Sequence, residues 1–305
     1  MSSNPTPDNN NILRALADLI SDGCHQHEVS IGIKQNTEVA IRAAIAGLSQ
    51  SELLVGVKKL EASNAYGALE AADLAGRDVL TACRLRLAQK LGQRWSAAWE
   101  PTGFPDQSTA VPDSRDPRFT LLDSLKNYFA LFPANESAEM GATAAACLAA
   151  WTLLSDKRQA VANAESAQTT SFANRTAAED ALRKRVRGLI NELGDLIADD
   201  DVRWEDFGLN IPANPSAPVA VASVVVVPAS GSRLEVTWPY AVRAVRYIVQ
   251  QLVVGVDTEF HTTANTKDLI AMLKGFTAGQ VVKVRVISAN DGGEAGPSPE
   301  GQATI

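Results

Sequence analysis

The stretch that decides the fold is Ala142–Arg187, which reads ATAAACLAAWTLLSDKRQAVANAESAQTTSFANRTAAEDALRKRVR and contains neither glycine nor proline. One glycine follows, and the helical pattern then continues from Leu189 to Ala198. As a single helix, residues 142–198 would be about 85 Å long at a rise of 1.5 Å per residue. Globular helices average roughly 11–12 residues. The sequence therefore predicts an N-terminal helical bundle organised around one very long helix.

The C-terminal end of this stretch carries apolar side chains at heptad spacing. They step by four, three, four and three residues, at Leu182, Val186, Leu189, Leu193 and Leu196. A narrow, leucine-rich row of this kind is typical of a coiled-coil contact. It favours self-association of the helical domain as a homo-oligomer. An internal seam against the helix around Leu80–Leu91 is the alternative.

The middle of the long stretch is polar at the same heptad positions. A helix can cross solvent between two packing zones with such a polar segment. Alternatively, the helix breaks near Gln168–Asn174, because Thr176 and Glu179 have capping-box spacing. We expect an unbroken helix, since no residue in the stretch forces a stop.

Composition limits the class of protein. With 305 residues, the chain is long enough for two domains. A net charge of −7 and a pI near 5.1 argue against nucleic-acid binding. Three cysteines exclude a dense disulfide framework, and Cys83 and Cys147 lie in apolar helical patterns that predict core positions. No membrane span of roughly 20 apolar residues is expected. The N-terminus has no secretory pattern, so we expect a cytoplasmic protein, with signal-independent export left open.

The remaining boundaries follow from caps, prolines and periodicity. We expect a mobile tail at residues 1–11, a helical domain at 12–208, a linker at 209–217 and a β domain at 218–305. Within the helical domain the pattern predicts helices at Ile12–Ile20, Asn36–Leu48, Ser49–Leu60, from Ser63 or Asn64 to Trp95, and Phe119–Phe132.

Two polar clusters are candidate metal sites. His25 and His27 are two residues apart, so they share a face only on an extended segment, and a metal would need a third ligand from elsewhere. The alternative is a polar turn that leads into a short apolar strand. Asp199 and Asp201 suggest a calcium or basic-partner contact, with a solvated helix end as the alternative. We expect neither cluster to hold a metal, and no cofactor is predicted.

Trp95 and Trp99 are four residues apart and would stack on one face of a helix. The pattern predicts an aromatic plug in the helical core. An interface anchor or a sugar-binding platform is the functional alternative.

Beyond Pro218 the apolar period changes from helical spacing to alternation. Leu234, Val236 and Trp238 alternate with polar residues, and Val282, Val284 and Val286 do the same. Turn residues separate short β-branched runs in about 90 residues, which is the size of a β-sandwich.

This region, Pro215–Ile305, resembles a fibronectin type III domain. The resemblance rests on Leu234-x-Val236-x-Trp238 as strand B, Tyr247 in strand C, Leu273–Phe276 with Gly279 as the E–F corner, and Val282-x-Val284-x-Val286 as strand F. Where the family usually has its corner tyrosine, this chain has Val282, which removes a stabilising hydroxyl bond. The resemblance implies a spacer or binding module and no activity.

No catalytic or phosphate-binding motif occurs in the sequence. The sequence therefore favours a non-catalytic structural or interaction protein, whose partner is another copy or another protein. One alternative is a carbohydrate- or surface-binding accessory protein. A metal-dependent enzyme that uses His25 and His27 is the second alternative.

Overall fold

The computed structural model describes residues 4–305, which form four α-helices followed by eight β-strands. The helices are α1 (Asn10–Ile31), α2 (Glu38–Leu91), α3 (Arg115–Leu131) and α4 (Ala144–Leu196), with short 3-10 helices at Ala97–Thr102, Pro133–Asn135 and Val202–Phe207. The strands are β1 (Val225–Ala229), β2 (Arg233–Thr237), β3 (Arg246–Val253), β4 (His261–Thr266), β5 (Ile270–Lys274), β6 (Val281–Asn290), β7 (Gly293–Glu294) and β8 (Gly301–Thr304). The predicted fold class, a helical part with a very long helix followed by an all-β part, is confirmed.

Helix α4 is unbroken from Ala144 to Leu196, as expected. Its first turn is capped twice, because the Thr143 hydroxyl accepts from the Ala146 N–H at 3.1 Å and Glu136 accepts from the Ala144 N–H at 2.7 Å. At the position where a break was considered, Arg175 pairs with Glu179 one turn later at 3.2 Å. Thr176 and Glu179, which have capping-box spacing, therefore lie in the interior of α4 and start no new helix.

Helix α2 is also continuous, whereas the sequence predicted three helices between Asn36 and Trp95. The separate helices at Asn36–Leu48 and Ser49–Leu60 were therefore wrong. The Ser49 hydroxyl donates to the Ile45 carbonyl at 3.1 Å, as serine does in a helix interior. The helix ends at Leu91, before Gly92 with φ of 98°, and therefore before Trp95. Long-range packing of one apolar row outweighs local capping signals.

Helix α1 continues eleven residues past the predicted end at Ile20 and stops at Gly32, which has φ of 87°. Asn9 caps its start by accepting from the Asn11 and Ile12 N–H groups. Gly23 permits close contact with the Val202–Phe207 segment, because a Cβ there would lie 2.6 Å from Phe207 Cδ1. The helix begins two residues inside the predicted mobile tail. Within that tail Met1–Ser3 lie outside the described residues.

Contacts divide the chain into two units. The first contains the residues up to Ser51 together with Arg175–Ile305, and the second contains Glu52–Asn174. The first unit has a helical core, to which α1 and α4 contribute, and a sandwich core. The second unit has a core around Leu80, Phe129 and Leu154. The predicted linker at 209–217 lies within the first unit.

The second unit also buries an ion pair. Arg118 Nε donates to Asp73 Oδ1 at 3.0 Å, and a second guanidinium nitrogen bonds the other carboxylate oxygen. Burial alone would raise the pKa of Asp73, but the hydrogen bonds and charges of Arg118 and Arg115 hold it below its ordinary value. The pair fastens α3 to α2.

The sandwich has two antiparallel sheets. One has the order β1-β2-β5, and the other has β4-β3-β6 with β7 and β8 both paired to β6. Alternate residues point inward, which buries Val236 on β2, Val249 on β3 and Val286 on β6. Trp238 follows β2 and packs against Tyr247, with ring centroids 5.6 Å apart. The predicted strands B, C and F correspond to β2, β3 and β6.

One helix, α2, is long and apolar enough to cross a membrane by length and composition alone. Its most apolar 18-residue window has a mean hydropathy of 1.2, and 22% of that window is buried. No other helix of the described residues meets this test.

Candidate functional site

The two histidines that the sequence singled out lie on α1, not on an extended segment as a shared metal face would require. His25 Nδ1 lies 2.9 Å from Glu38 Oε2, and His27 Nε2 lies 2.8 Å from Asp206 Oδ2. Each ring thus has its own carboxylate partner on a different element. Within residues 4–305 no group of three or more His, Cys, Asp or Glu side chains could hold a metal ion.

The acidic cluster after α4 caps a short helix. Asp201 accepts from the Arg203 N–H at 2.9 Å and from its guanidinium, and these bonds lower the pKa of Asp201 to about 2. The side chain of Asp199 is exposed, and the backbone carbonyl of the same residue accepts a hydrogen bond from the Ala213 N–H at 2.9 Å. Asp201 therefore has a structural partner within its own turn.

The two tryptophans do not share a helix face. Trp95 lies in the loop after α2 and is partly buried, and Trp99 lies in the 3-10 helix Ala97–Thr102. Trp99 is fully buried, donates from Nε1 to the Gly92 carbonyl at 3.2 Å and packs edge-on against Phe104. The predicted stacking was wrong, because Gly92 ends the helix first, and Trp99 is a core residue with no exposed ring face.

The predicted heptad seam of α4 lies inside the first unit. Leu182, Val186, Leu189 and Leu193 are all fully buried in the helical core with residues of α1. Leu196, the last member, is 43% exposed, and Ile197 is buried in its place. The seam is therefore internal to one chain.

The sandwich is fastened to the helices of the first unit by specific contacts. Ile12 of α1 is buried in the sandwich core. The side-chain amide of Asn290 donates to Asn210 Oδ1 at 2.9 Å and to the carbonyls of Ser216 and Arg243. The Arg243 guanidinium pairs with Glu205 at 2.5 Å. These bonds hold the segment that was predicted to be a linker.

A cavity of about 190 Å³ lies beside this junction. Its walls include Ile12, Leu209 and Tyr240, and the residues before α1 close one side. There Asn4 and Asn210 exchange two hydrogen bonds of 3.0 and 2.8 Å. Burial raises the pKa of Tyr240 to about 12.

Sequence reasoning missed a second apolar row on α2, which we call the outer row. Its members step by four and three along the exposed side of the helix, at Leu53, Val57, Leu60, Asn64, Gly67, Ala71 and Leu74. Leu53 and Leu60 are each 63% exposed. The heptad spacing was available in the sequence, but the predicted break near Leu60 divided it.

The sandwich has an exposed apolar face as well. On the outside of the β1-β2-β5 sheet, Val227, Glu235 and Met272 form one row across the strands. Val225, Thr237 and Ile270 form the next row. The four apolar members are all more than 40% exposed.

Comparison with known proteins concerns the sandwich region. No family model matches the sequence, and no curated protein matches it. Solved structures do match, and the match covers about 30% of this chain at its C-terminal end. The helical region has no named relative among them.

Three of these structures illustrate the likeness. A structure of titin kinase and its flanking domains is 20% identical with a TM-score of 0.27, and the match covers 30% of this chain and 17% of that one. A fibronectin type III-like protein from Clostridium thermocellum is 21% identical with a TM-score of 0.25, covering 29% and 90%. A fibronectin type III domain of a human protein is 23% identical with a TM-score of 0.27, covering 30% and 89%. The predicted resemblance to this type of domain is confirmed, and it concerns the fold alone.

Proposed function

We propose that this is a non-catalytic structural protein that self-associates through its helical region and presents its fibronectin type III-like domain as an interaction module. The observation that carries this proposal is the seating of the sandwich on helical residues of the same unit. Ile12 enters the sandwich core, and Asn290 makes three hydrogen bonds at the junction. A domain fastened in this way is held in a defined direction, which suits presentation to a partner.

The outward face of the sandwich supports the interaction role. Val225, Val227, Ile270 and Met272 are neighbours on the β1-β2-β5 sheet and leave apolar surface in water. Contiguous exposed apolar patches on folded domains often mark sites of protein interaction. Glu235 and Thr237 between them supply hydrogen-bonding groups for specificity.

The helical region supports the self-association role. Helix α2 exposes large apolar side chains at Leu53, Leu60 and Leu74, all more than half exposed. Burial of such side chains stabilises an assembly by about 25 cal/mol per Å². The side-chain amide of Asn290 at the junction, by contrast, has its acceptors within the same chain.

The molar mass of the full chain in solution tests this function. Light scattering on size-separated protein between about 5 and about 200 µM should give a mass that exceeds 32.4 kDa, the mass of one chain, and rises with concentration. A constant single-chain mass over this range would refute self-association. Leu131→Glu on α3 is a suitable control, because Leu131 lies outside α2 and is 76% exposed.

A further inference from the structure

Helix α2 has two apolar rows on opposite sides. The buried row includes Val55, Ala62, Leu69, Leu80 and Leu87, and the last three belong to the core of the second unit. The outer row starts at Leu53, and two residues along a helix correspond to a rotation of about 200°. Residues 53 and 55 therefore face nearly opposite directions. All seven members of the outer row are exposed to solvent.

The spacing of the outer row specifies the kind of partner. Side chains at alternating steps of four and three pack into the spaces between side chains of a second helix with the same repeat. Val57 and Leu60 supply large apolar knobs, and Gly67 and Ala71 let a neighbouring backbone come close. Asn64 is a single polar residue within the row, the feature that fixes register in paired helices.

The outer row suits a second copy of the same chain. None of its seven residues is ionisable, so two rows can meet without repulsion between like charges. The same spacing continues through Asp78, the one ionisable residue of this continuation, and Thr81 to Leu85, which is 50% exposed. From Leu53 to Leu85 the helix extends about 50 Å, and a contact about 10 Å wide would cover roughly 500 Å² on each copy. The total of about 1,000 Å² reaches the size expected of a specific interface.

We propose that the outer row of α2 is the surface through which two copies of this chain pair. This inference rests on the proposed self-association and assigns it to one helix face. The pairing is isologous, since the same residues of both copies meet. It leaves the α4 seam internal and the sandwich available to other partners.

Leu60→Glu tests the assignment, because it places a charge in the row without touching the buried side of α2. Sedimentation equilibrium on the wild type should give a dimer. The variant should raise the dimer dissociation constant by roughly 100-fold or more, because an unpaired carboxylate would be buried at the contact. Its circular dichroism should remain that of the wild type. Leu131→Glu, equally acidic and on another helix, should leave the constant unchanged.

Cross-linking supplies a positive test. Gly67→Cys lies within the row, next after its middle member Asn64, and the native cysteines Cys24, Cys83 and Cys147 are buried. A short bismaleimide should join two copies through Cys introduced at 67 and should not join Leu131→Cys chains. A dimer that withstands Leu60→Glu and is not linked at 67 overturns this surface but leaves self-association standing. A wild-type monomer refutes both. A monomer that floats with phosphatidylcholine vesicles would assign the row to a membrane surface instead.

Discussion

Tyr247 lies in the sandwich core with its ring fully buried, and its hydroxyl accepts a hydrogen bond from the Ala241 N–H at 3.1 Å. At the position where the resemblance to fibronectin type III domains places a corner tyrosine, this chain has Val282, which is buried among apolar residues. In this chain the Tyr247 hydroxyl, on β3, bonds the backbone of the loop that leads into β3. One tyrosine thus provides a side chain-to-backbone bond where another is missing.

Tyr247→Phe should therefore destabilise the sandwich. The substitution keeps the ring and leaves the buried Ala241 N–H without its acceptor, which costs about 1–3 kcal/mol. Urea unfolding followed by tryptophan fluorescence and circular dichroism measures the change. Tyr66→Phe removes the hydrogen bond that a half-exposed hydroxyl donates to Glu165, and it should cost less, because the exposed Glu165 carboxylate left behind is solvated by water. Equal effects of the two substitutions would contradict a special role for Tyr247.

Glu192 on α4 closes the turn between α1 and α2. Its carboxylate accepts from the backbone N–H groups of Lys34, Gln35 and Asn36 at 2.7 to 3.0 Å, and from the Asn36 side chain. Burial by itself would raise the pKa of Glu192, but these four hydrogen bonds lower it below its ordinary value. A carboxylate with a lowered pKa stabilises the fold above the unfolded-state pKa, near 4.5, and this stabilisation is lost as the pH falls through the folded-state pKa.

Glu192→Gln should thus lower stability at pH 7 by about 1–3 kcal/mol, the usual effect of losing hydrogen bonds to a charged group. Below about pH 4.5 the difference from the wild type should shrink, because the wild-type carboxylate becomes protonated. Melting temperatures between pH 3 and pH 7 measure both effects. Glu139→Gln, at an exposed position, should follow the wild type throughout. A difference for Glu192→Gln that does not depend on pH would exclude the charge as the cause.

At the scale of elements, the two long helices behave differently from what local signals predict. In α4 the absence of glycine and proline from Ala142 to Arg187 correctly predicted continuity, and the helix also continues through Gly188 and Gly194. In α2 capping-type residues at Ser49 and at Ser63 or Asn64 predicted separate helices, yet one helix spans Glu38–Leu91. Helix stability in proteins comes mainly from packing an apolar face, so a row that is buried along the helix overrides weak local preferences.

The seam at the end of α4 can be tested as an internal element. Leu189→Asp places a charge in the dry core of the first unit, and we expect a loss of at least about 3 kcal/mol together with reduced helicity at 222 nm. Leu196→Asp, from the same heptad pattern but exposed, should cost less than about 1 kcal/mol. A Leu189→Asp protein with full helicity and a smaller assembly would instead show that the seam joins copies.

At the scale of the whole molecule, the β region has its own closed core but also takes contacts from the helices. Ile12 is in that core, and Asn210 bonds Asn290. The separate folding of the two predicted domains therefore stays a prediction. Separating them would remove the contacts of Ile12 and Asn210 with the sandwich, and the isolated sandwich should be less stable by the free energy of those contacts.

The fragment Pro215–Ile305 should fold, because both sheets and the core around Trp238 lie within it. Its melting temperature should be several degrees below that of the same region in the full chain, since the burial by Ile12 is lost. Calorimetry of both proteins measures the difference. In the fragment, Trp238→Ala should remove about 3–5 kcal/mol and leave little folded protein. An unfolded wild-type fragment would show that the helices are required for folding.

The sequence by itself determined the division into helices and sandwich, the continuity of α4 and the strands that resemble a fibronectin type III domain. These features depend on periodicity and on glycine and proline, which act locally. Only the tertiary structure decided that the Leu182–Leu193 seam is internal, that His25 and His27 have separate carboxylate partners, and that Leu53 and Leu60 are left exposed. A heptad row looks the same in sequence whether it is buried within one chain or free to meet another. Its role is set by which other segments pack against it, and those segments lie far away along the chain.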